Sequence, residues 1–490
     1  MRKQISNKIL AITLRVLVVL IIFSCCGSCF PTANAAGLEK SYIYDETKVA
    51  RYVPDAYDYY LSVDLTVDGI AAEKPSDMYV TDSMIYVTDQ GNHRVLIFDS
   101  NFNAVKAIDT IVDANGAESK LKQPNGIYAY SDGRILIADT GNKRIVLIDD
   151  NGNLLLEIRK PKNMVGVSTE NDFLPTKVAA DKIGRIYAVV ENVNNGILQF
   201  DSKGAFMGYL GAPAVKTDFW TKLWKSIFSK EQQDQMESFV PTEYNNLYID
   251  SEDFLWGTIG TEPESPIRKL NSMGNDILVR NGLFAPQGDF TTDTNAKSVI
   301  IDVATNTNGT YSMLDQTRGR IFTYDAKGNL LFIFGNKGER EENFGQPIAI
   351  SYFNNMLFIL DNAHNKLSVF RTTKYGQLLY DAVNAQYTGD FDSANALWSQ
   401  IASENSNLKY AFSGLGNSEL SIGNYEQALT YFEYAGDVDG YSNAKEMLRK
   451  QQMKSVFPYM FTGIAVVLVA LITGSLVKKF LRYYKGENLQ

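Results

Sequence analysis

Short apolar runs separated by polar turns recur along the chain between about residue 75 and residue 375. A typical copy holds the run 85–89, a turn containing Gly and Asn, a basic residue, and a second apolar run that ends at Asp99. Runs of this length, rich in β-branched and aromatic residues, predict short β-strands. Because one unit of three or four such strands cannot bury its own faces, the units are expected to pack on each other.

The clearest copies of this pattern begin at Asp89 and Asp139, and weaker ones begin at Asp315 and Asp361. Degenerate copies at 191–201 and 260–271 bring the number to six. The spacings of 50 residues between the first two copies and 46 between the last two fit a four-stranded blade with its loops. We therefore predict an all-β six-bladed propeller, in which 41–65 supplies the missing outer strand of the last blade and closes the ring.

The turn of the first copy reads Gly-Asn-His-Arg-Val-Leu over residues 91–96. This turn resembles the NHL repeat, named for its Asn, His and Leu, and the resemblance is strong in blades one, two, five and six. It implies a propeller fold but no particular activity, since propellers support many unrelated functions. The motif residues are Asp89, His93, Arg94, Asp139, Arg144, Asp315, Arg320, Asp361 and Lys366.

A helical pattern replaces the β pattern after Tyr375. The segments that begin at Gly389 and Gly423 are alike at an offset of 34 residues, and Trp398 matches Phe432 at the same offset. This period resembles that of the tetratricopeptide repeat. We predict two such units over 377–454, which either pack on the propeller or continue into a membrane helix as a stalk.

The N-terminus has the three parts of a secretory signal: basic residues, an apolar run over 16–23, and a small-residue site at 33–35. We expect residues 1–35 to be a cleaved signal peptide. The alternative is a lipid-modified cysteine at Cys25, because 22–25 weakly resembles a lipobox. All three cysteines lie in this segment, so cleavage leaves a mature chain without a thiol or a disulfide.

The C-terminal region carries a second membrane signal. Residues 456–477 form a run of 22 residues without a formal charge, which is long enough to cross a bilayer as a helix. Basic residues follow at once, and with the signal peptide they predict a cytoplasmic tail over 478–490. The extracytoplasmic part, 36–455, then holds 39 basic and 55 acidic residues, a charge of −16 that argues against binding nucleic acid.

Candidate chemistry is sparse. The two histidines, His93 and His364, both lie in the repeat turn and are too few for a three-histidine zinc site. We interpret the motif Asp and basic residues as structural ties within or between blades, with a ring of binding groups at one mouth as the alternative. No catalytic, cofactor-binding or metal-binding residue is assigned, because the extracytoplasmic part holds no P-loop, G-x-S-x-G or H-E-x-x-H motif.

One segment interrupts the propeller rhythm. Over 218–239 the apolar residues recur at helical spacing and form one apolar face. The two interpretations are an insertion packed on the rim of blades three and four, and an exposed docking face for a partner or the membrane surface. The candidate partner-binding residues are Phe219, Trp220, Leu223, Trp224, Ile227 and Phe228.

The sequence thus predicts a single-pass cell-membrane protein of Gram-positive type. The propeller, over 36–376, lies outside the cell, and the helical repeats lie near the membrane. We expect a non-enzymatic binding or scaffold module for proteins or ligands, with no cofactor. The resemblance of the whole layout to bacterial NHL–tetratricopeptide proteins implies a neighbouring membrane complex, such as a transporter, as a partner. The alternative is a gluconolactonase-like hydrolase with Ca²⁺ held at the propeller axis.

Overall fold

A computed structural model of the chain describes residues 40–44, 49–162, 172–211, 243–260, 265–280, 297–306 and 309–485. The predicted signal segment 1–35 and the aromatic segment 218–239 lie outside the described residues. The described part holds a ring of β-sheets followed by five helices.

Five short strands precede the first repeat. They are β1 (Tyr42–Tyr44), β2 (Ala50–Tyr52), β3 (Tyr57–Asp64), β4 (Thr66–Val67) and β5 (Ile70–Ala71). The last two pair with each other as a small hairpin, while the first three join blades that are formed much later in the chain.

Six antiparallel sheets then form the blades of the propeller. Blade 1 contains β6 (Pro75–Val80), β7 (Met84–Asp89), β8 (Arg94–Asp99) and β9 (Ala104–Ile108). A hairpin of β10 (Thr110–Val112) and β11 (Glu118–Lys120) leads to blade 2, with β12 (Pro124–Ala129), β13 (Ile135–Asp139), β14 (Arg144–Ile148) and β15 (Leu154–Ile158). Blade 3 contains β16 (Pro175–Ala180), β17 (Ile186–Val190), β18 (Ile197–Phe200) and β19 (Phe206–Leu210).

The second half of the ring repeats this order. Blade 4 shows three strands in the described residues, β20 (Asn246–Ile249), β21 (Leu255–Thr258) and β22 (Ile267–Leu270). Blade 5 contains β23 (Ile300–Thr305), β24 (Tyr311–Asp315), β25 (Arg320–Tyr324) and β26 (Leu330–Phe334). Blade 6 contains β27 (Pro347–Phe353), β28 (Met356–Asp361) and β29 (Lys366–Thr372). The predicted six-bladed propeller is confirmed, including the two blades with degenerate motifs.

The N-terminal segment closes the ring. Strand β3 pairs antiparallel with β29 and becomes the outer strand of blade 6, as predicted for residues 41–65. Strand β1 adds to the outer edge of blade 5 by pairing with β26, and β2 extends it further. Joining the two ends of the propeller through shared sheets leaves only short strand edges exposed.

Apolar side chains on both faces of each blade pack against the neighbouring blades. The second strands are almost entirely buried, and residues such as Val87, Ile137 and Phe358 are fully enclosed. The inner strands contact one another around the ring in the order β6, β12, β16, β20, β23, β27 and back to β6. We call the side that carries the turns between second and third strands the upper face, and the opposite side the lower face.

Five helices follow blade 6. They are α1 (Lys374–Thr388), α2 (Phe391–Glu404), α3 (Lys409–Ser421), α4 (Tyr425–Ala435) and α5 (Val438–Tyr484). The first helix begins three residues earlier than predicted, because the Thr373 hydroxyl accepts a hydrogen bond from the Gly376 N–H and caps it. Gly389 and Gly436 end α1 and α4 in the left-handed conformation that glycine adopts without strain.

The first helices pack on the propeller and share its core. The Tyr57 and Tyr380 hydroxyls are hydrogen-bonded at 2.9 Å, and the Tyr57 ring stacks on Phe334 at 5.4 Å. Trp398 and Phe432 are fully buried between helices, as their matched positions predicted. Helices α1 to α3 thus join the propeller core, as one of the two predicted arrangements has it, while α5 leaves this core as a long helix.

Helix α5 is 47 residues long and contains the whole predicted membrane segment. It is the one helix of the described residues that is long and apolar enough to cross a membrane. Ala444 is its only buried residue, and from residue 449 to residue 485 every residue is exposed in the part of the chain that the structure describes. The predicted membrane segment is therefore part of a longer helix that begins before it.

Candidate functional site

The inner strands carry a layer of polar residues to the propeller axis, near the upper face. Asp77, Lys177 and Asp302 are each the third residue of an inner strand, and Asn246 occupies the matching place in blade 4. All four residues are buried, with exposed fractions of 4–7%. Their equivalent positions follow from the six-fold repeat, because the same strand position faces the axis in every blade. We call these four residues the axial layer.

An ion pair crosses part of the axial layer. The Lys177 ammonium lies 2.6 Å from a carboxylate oxygen of Asp77, although blade 2 separates the two blades that carry them. Gly126 holds the intervening position, and a Cβ there would come within 2.6 Å of the Lys177 backbone. The absence of a side chain at Gly126 therefore lets Lys177 reach across blade 2.

Asp302 forms the second half of the layer. Its carboxylate accepts hydrogen bonds from the Asn246 side-chain amide and from the N–H groups of Val303 and Ile350, the latter two at 2.8 Å. Burial raises the pKa of Asp302 to about 7, while the Lys177 charge lowers this pKa and the Asp77 charge raises it. The layer therefore holds two carboxylates and one ammonium, with one carboxylate that titrates near neutral pH.

The hydrogen bonds of the axial layer do not fit the calcium site of the hydrolase alternative. Both carboxylate oxygens of Asp77 already accept, one from Lys177 and one from the Ile127 N–H at 3.0 Å. Both oxygens of Asp302 accept as well. The Lys177 ammonium already places a positive charge beside Asp77, and this charge would repel a Ca²⁺ ion bound at the same carboxylate. Within the described residues, no cluster of three His, Cys, Asp or Glu side chains could hold a metal ion.

Sequence reasoning missed the axial layer. A signal was present, since Asp77 and Lys177 each stand two residues after a proline at the start of an apolar strand. A charged residue in such a strand must find a partner when it is buried. The pairing itself was not visible, because it joins residues that are 100 positions apart.

The repeat-motif residues lie at the upper face, in the turns between second and third strands. In blades 1 and 2, the Arg94 and Arg144 guanidinium groups each donate to the motif aspartate at 2.7 Å. The other oxygen of Asp89 and Asp139 accepts from a backbone N–H of the loop that enters the same blade, at 2.8 Å. These contacts connect the turn to the start of the inner strand, and both carboxylate oxygens of Asp89 and of Asp139 have a hydrogen-bond partner.

Blades 5 and 6 vary this arrangement. The Arg320 guanidinium lies 5.6 Å from the centre of the Tyr42 ring, because β1 has joined blade 5 at that edge. In blade 6, His364 contacts a carboxylate oxygen of Asp361 at 3.0 Å, and Lys366 donates instead to the Glu341 carbonyl. The motif residues thus lie at the same place in each of these blades, but the groups that they contact differ between blades.

His93 contacts backbone groups of its own turn and of the loop that enters blade 2. The His93 Nδ1 accepts a hydrogen bond from the Gln123 N–H at 3.2 Å, which links blade 1 to the loop entering blade 2, and it lies 3.0 Å from the Gln90 carbonyl oxygen. His93 has a positive φ of 60°, the backbone conformation that Lys143 adopts at the same place in blade 2. The aromatic segment with Trp220 and Trp224 lies outside the described residues, so its two interpretations stay predictions.

Comparisons with known proteins add likenesses of fold. No family model matches the chain, and no curated protein matches it. The virginiamycin B lyase from Staphylococcus aureus is 11% identical, with a TM-score of 0.40, over 65% of this chain and 100% of that one. A streptogramin B lyase is 12% identical, with a TM-score of 0.39, over 64% of this chain and 98% of that one. A protein whose gluconolactonase assignment is provisional is 10% identical, with a TM-score of 0.38, over 64% and 92%. Likenesses this weak carry no argument about activity, and the propeller assignment rests on the strand pairing above.

Proposed function

We propose that the protein is a membrane-tethered binding or scaffold module that presents its propeller on the extracytoplasmic side of the cell membrane. In this proposal the second half of α5 spans the bilayer, the blades are of the NHL type, and α1 to α4 are tetratricopeptide-like. Proteins are the expected partners, in particular a neighbouring membrane complex such as a transporter.

The observation that carries the proposal is the continuous path from the propeller core to the apolar helix. Tyr57 of β3, Phe334 of blade 5 and Tyr380 of α1 belong to one buried cluster, which extends through Trp398 to Leu415 of α3. A shared core of this kind couples the repeats rigidly to the propeller. The propeller and α1 to α3 would therefore move as one body at the end of α5, which suits recognition of a partner held in the same membrane.

The first part of α5 supports the same role. The 18 residues from Val438 to the start of the predicted membrane segment rise about 27 Å as a helix. Its first turns pack on α4, where Ala444 is buried in the same cluster as Phe432. From residue 449 to residue 455 the helix is exposed and carries Arg449, Lys450 and Lys454. A helix that is polar all round gains little from packing, so a partner or the lipid surface is expected to support it.

Localisation is tested by fractionating cells that express the full chain and a variant shortened before Val456. The full chain should stay with membranes after high-salt and alkaline washes, and protease added to intact wall-free cells should digest the propeller. The shortened variant should appear in the medium. A full chain that washes off, or a propeller that is protected from outside, would overturn the tether or its orientation.

Partner binding is tested by crosslinking and capture from membranes with the full chain and with a Trp220→Ala/Trp224→Ala double variant. Loss of a crosslinked protein in the variant supports the docking interpretation of the aromatic segment, and unchanged partners refute it.

The hydrolase alternative has its own test, because Asp77, Asn246 and Asp302 do converge on the axis. Lactone hydrolysis that requires Ca²⁺ and is lost in Asp302→Asn would replace the binding proposal with that enzyme.

A further inference from the structure

Two adjoining cavities lie where α1 crosses the lower face of the propeller. Their volumes are about 210 and 200 Å³, and Asn306 lines both. Together they reach the size of about 300–1,000 Å³ at which small-molecule sites begin. Helix α1 borders both cavities with one stripe of residues at helical spacing, formed by Gln377, Asp381, Asn384 and Tyr387. We call the two cavities together the seam cleft.

The first cavity has aromatic walls and an unpaired hydroxyl. The Trp256 and Tyr311 rings contact each other with centroids 5.1 Å apart, and Tyr387 of α1 lies against Gly309 on the other side. Tyr311 is 1% exposed, and its hydroxyl has no hydrogen-bond partner among the described residues. A buried hydroxyl of this kind is unfavourable in the free protein and would be satisfied by a polar group of a bound molecule.

The second cavity is lined by amides. Asn354, Asn355, Asn384 and Gln377 border it together with the Asp381 carboxylate. An amide side chain donates through its nitrogen and accepts through its oxygen, so neighbouring amides can engage a group that does both. The Asp381 carboxylate accepts from the Gln377 amide at 2.8 Å, which fixes both side chains on α1. The cavity thus presents alternating donors and acceptors with little apolar surface.

The charge of the seam cleft disfavours an anionic ligand. Its only lysine among the described lining residues, Lys269, lies 3.5 Å from the Asp250 carboxylate and 4.3 Å from the centre of the Phe254 ring. That ammonium is already neutralised, while Glu252 and Asp381 add negative charge. Phosphates and carboxylates would therefore be repelled, which leaves neutral and cationic ligands. The amides of the second cavity favour a neutral ligand whose groups both donate and accept.

From these walls we infer that the seam cleft binds a short neutral oligosaccharide. The C–H face of one sugar ring would lie on the exposed Tyr387 ring, which lines the first cavity. Hydroxyl groups of the next ring, which donate and accept at once, would bond the amides and Asp381 in the second. This inference deepens the proposed binding role by naming a ligand class, and it rests on that role.

The inference is tested by saturation-transfer NMR and isothermal titration with the full chain in lipid nanodiscs. Alkyl glycoside detergents are avoided, because their head groups are themselves sugars. The probes are maltotriose, cellotriose and chitotriose at millimolar concentration, with tetramethylammonium as a separate probe of the aromatic and acidic walls. Binding of at least one trisaccharide is expected, and binding of tetramethylammonium alone would overturn the inference.

Two variants locate the site. Tyr311→Phe removes only the unpaired hydroxyl, so the thermal midpoint of the free protein should not fall, while saccharide affinity should drop about three- to tenfold. Asp381→Ala should weaken binding about tenfold or more, since hydrogen bonds to a charged group are stronger. The matched control is Glu404→Ala on α2, which removes the acid of the equivalent Gln400–Glu404 pair and should leave affinity unchanged.

Affinity that neither variant lowers, or no trisaccharide binding at all, refutes the seam cleft as a saccharide site. Neither result bears on the tether or on protein partners, because cell fractionation and membrane crosslinking do not depend on a bound sugar. Failure of this inference is thereby distinguishable from failure of the proposed function.

Discussion

Replacing Lys177 by methionine is expected to lower the free energy of unfolding by about 3–5 kcal/mol at pH 8. The side chains of Lys177 and Asp77 are only 9% and 10% exposed, so the pair is shielded from water. Methionine keeps most of the apolar length of lysine but removes the ammonium, which leaves the Asp77 carboxylate buried without a counter-charge. The nearby Asp302 carboxylate then makes the site still less favourable, because Lys177 is the charge that lowers its pKa.

The same variant should regain stability in acid. A carboxyl whose folded-state pKa lies above its unfolded value takes up a proton in the folded state first, so the free energy of unfolding rises as pH falls through the folded pKa. Without Lys177, the pKa of Asp302 should rise further, because the Lys177 charge that lowers this pKa is gone. The difference between variant and wild type should therefore shrink between pH 8 and pH 5, and an Asp77→Asn/Lys177→Met double variant should recover part of the loss at pH 8.

Urea unfolding of the full chain in detergent micelles, followed by tryptophan fluorescence, measures this effect as a shift of the midpoint at constant slope. The control is Lys182→Met, because the Lys182 side chain is 66% exposed and lies 3.8 Å from an Asp253 carboxylate oxygen. A surface pair of this kind contributes about 0–1 kcal/mol. Equal losses in the two variants, or a Lys177 loss that is independent of pH, would refute the account of the axial layer.

Two further changes test other parts of the structure. Asp302 alone should lower the free energy of unfolding by roughly 3 kcal/mol as pH rises from 4 to 7, because burial raises its pKa from 3.8 to about 7 on folding. Carboxyls with a lowered pKa, such as Asp109, act in the opposite direction, so the effect is measured as the difference between wild type and Asp302→Asn in pH-dependent urea titrations. Gly414→Ala should destabilise the helical part by about 1–2 kcal/mol in thermal unfolding, although alanine favours helix, since its Cβ would come within 2.5 Å of the Trp398 indole. At Gly463 a Cβ would meet no atom of the described residues within 4 Å apart from the nearby backbone of its own helix, so Gly463→Ala should not destabilise. Equal effects at both glycines would contradict the packing argument.

Local patterns in the sequence were sufficient for the elements of this fold. The spacing of Asp89 and Asp139 predicted one blade per repeat, and the strand-forming segment before the first repeat predicted the closing strand β3. Composition alone identified the apolar half of α5. These features depend on residues that are neighbours along the chain, so their periodicity records the structure directly.

The sites depended on tertiary structure. Asp77, Lys177, Asn246 and Asp302 meet only because ring closure brings the same strand position of different blades to one axis. The seam cleft likewise requires α1 to fold back across blades 4 to 6, which no local pattern indicates. Periodicity thus determined which residues form strands and helices, whereas the packing of distant elements decided which buried charges pair and where a cleft remains. The reason is physical. The energy of an ion pair or a hydrogen bond depends on the distance between its partners in space, and this distance produces no periodic pattern in the sequence.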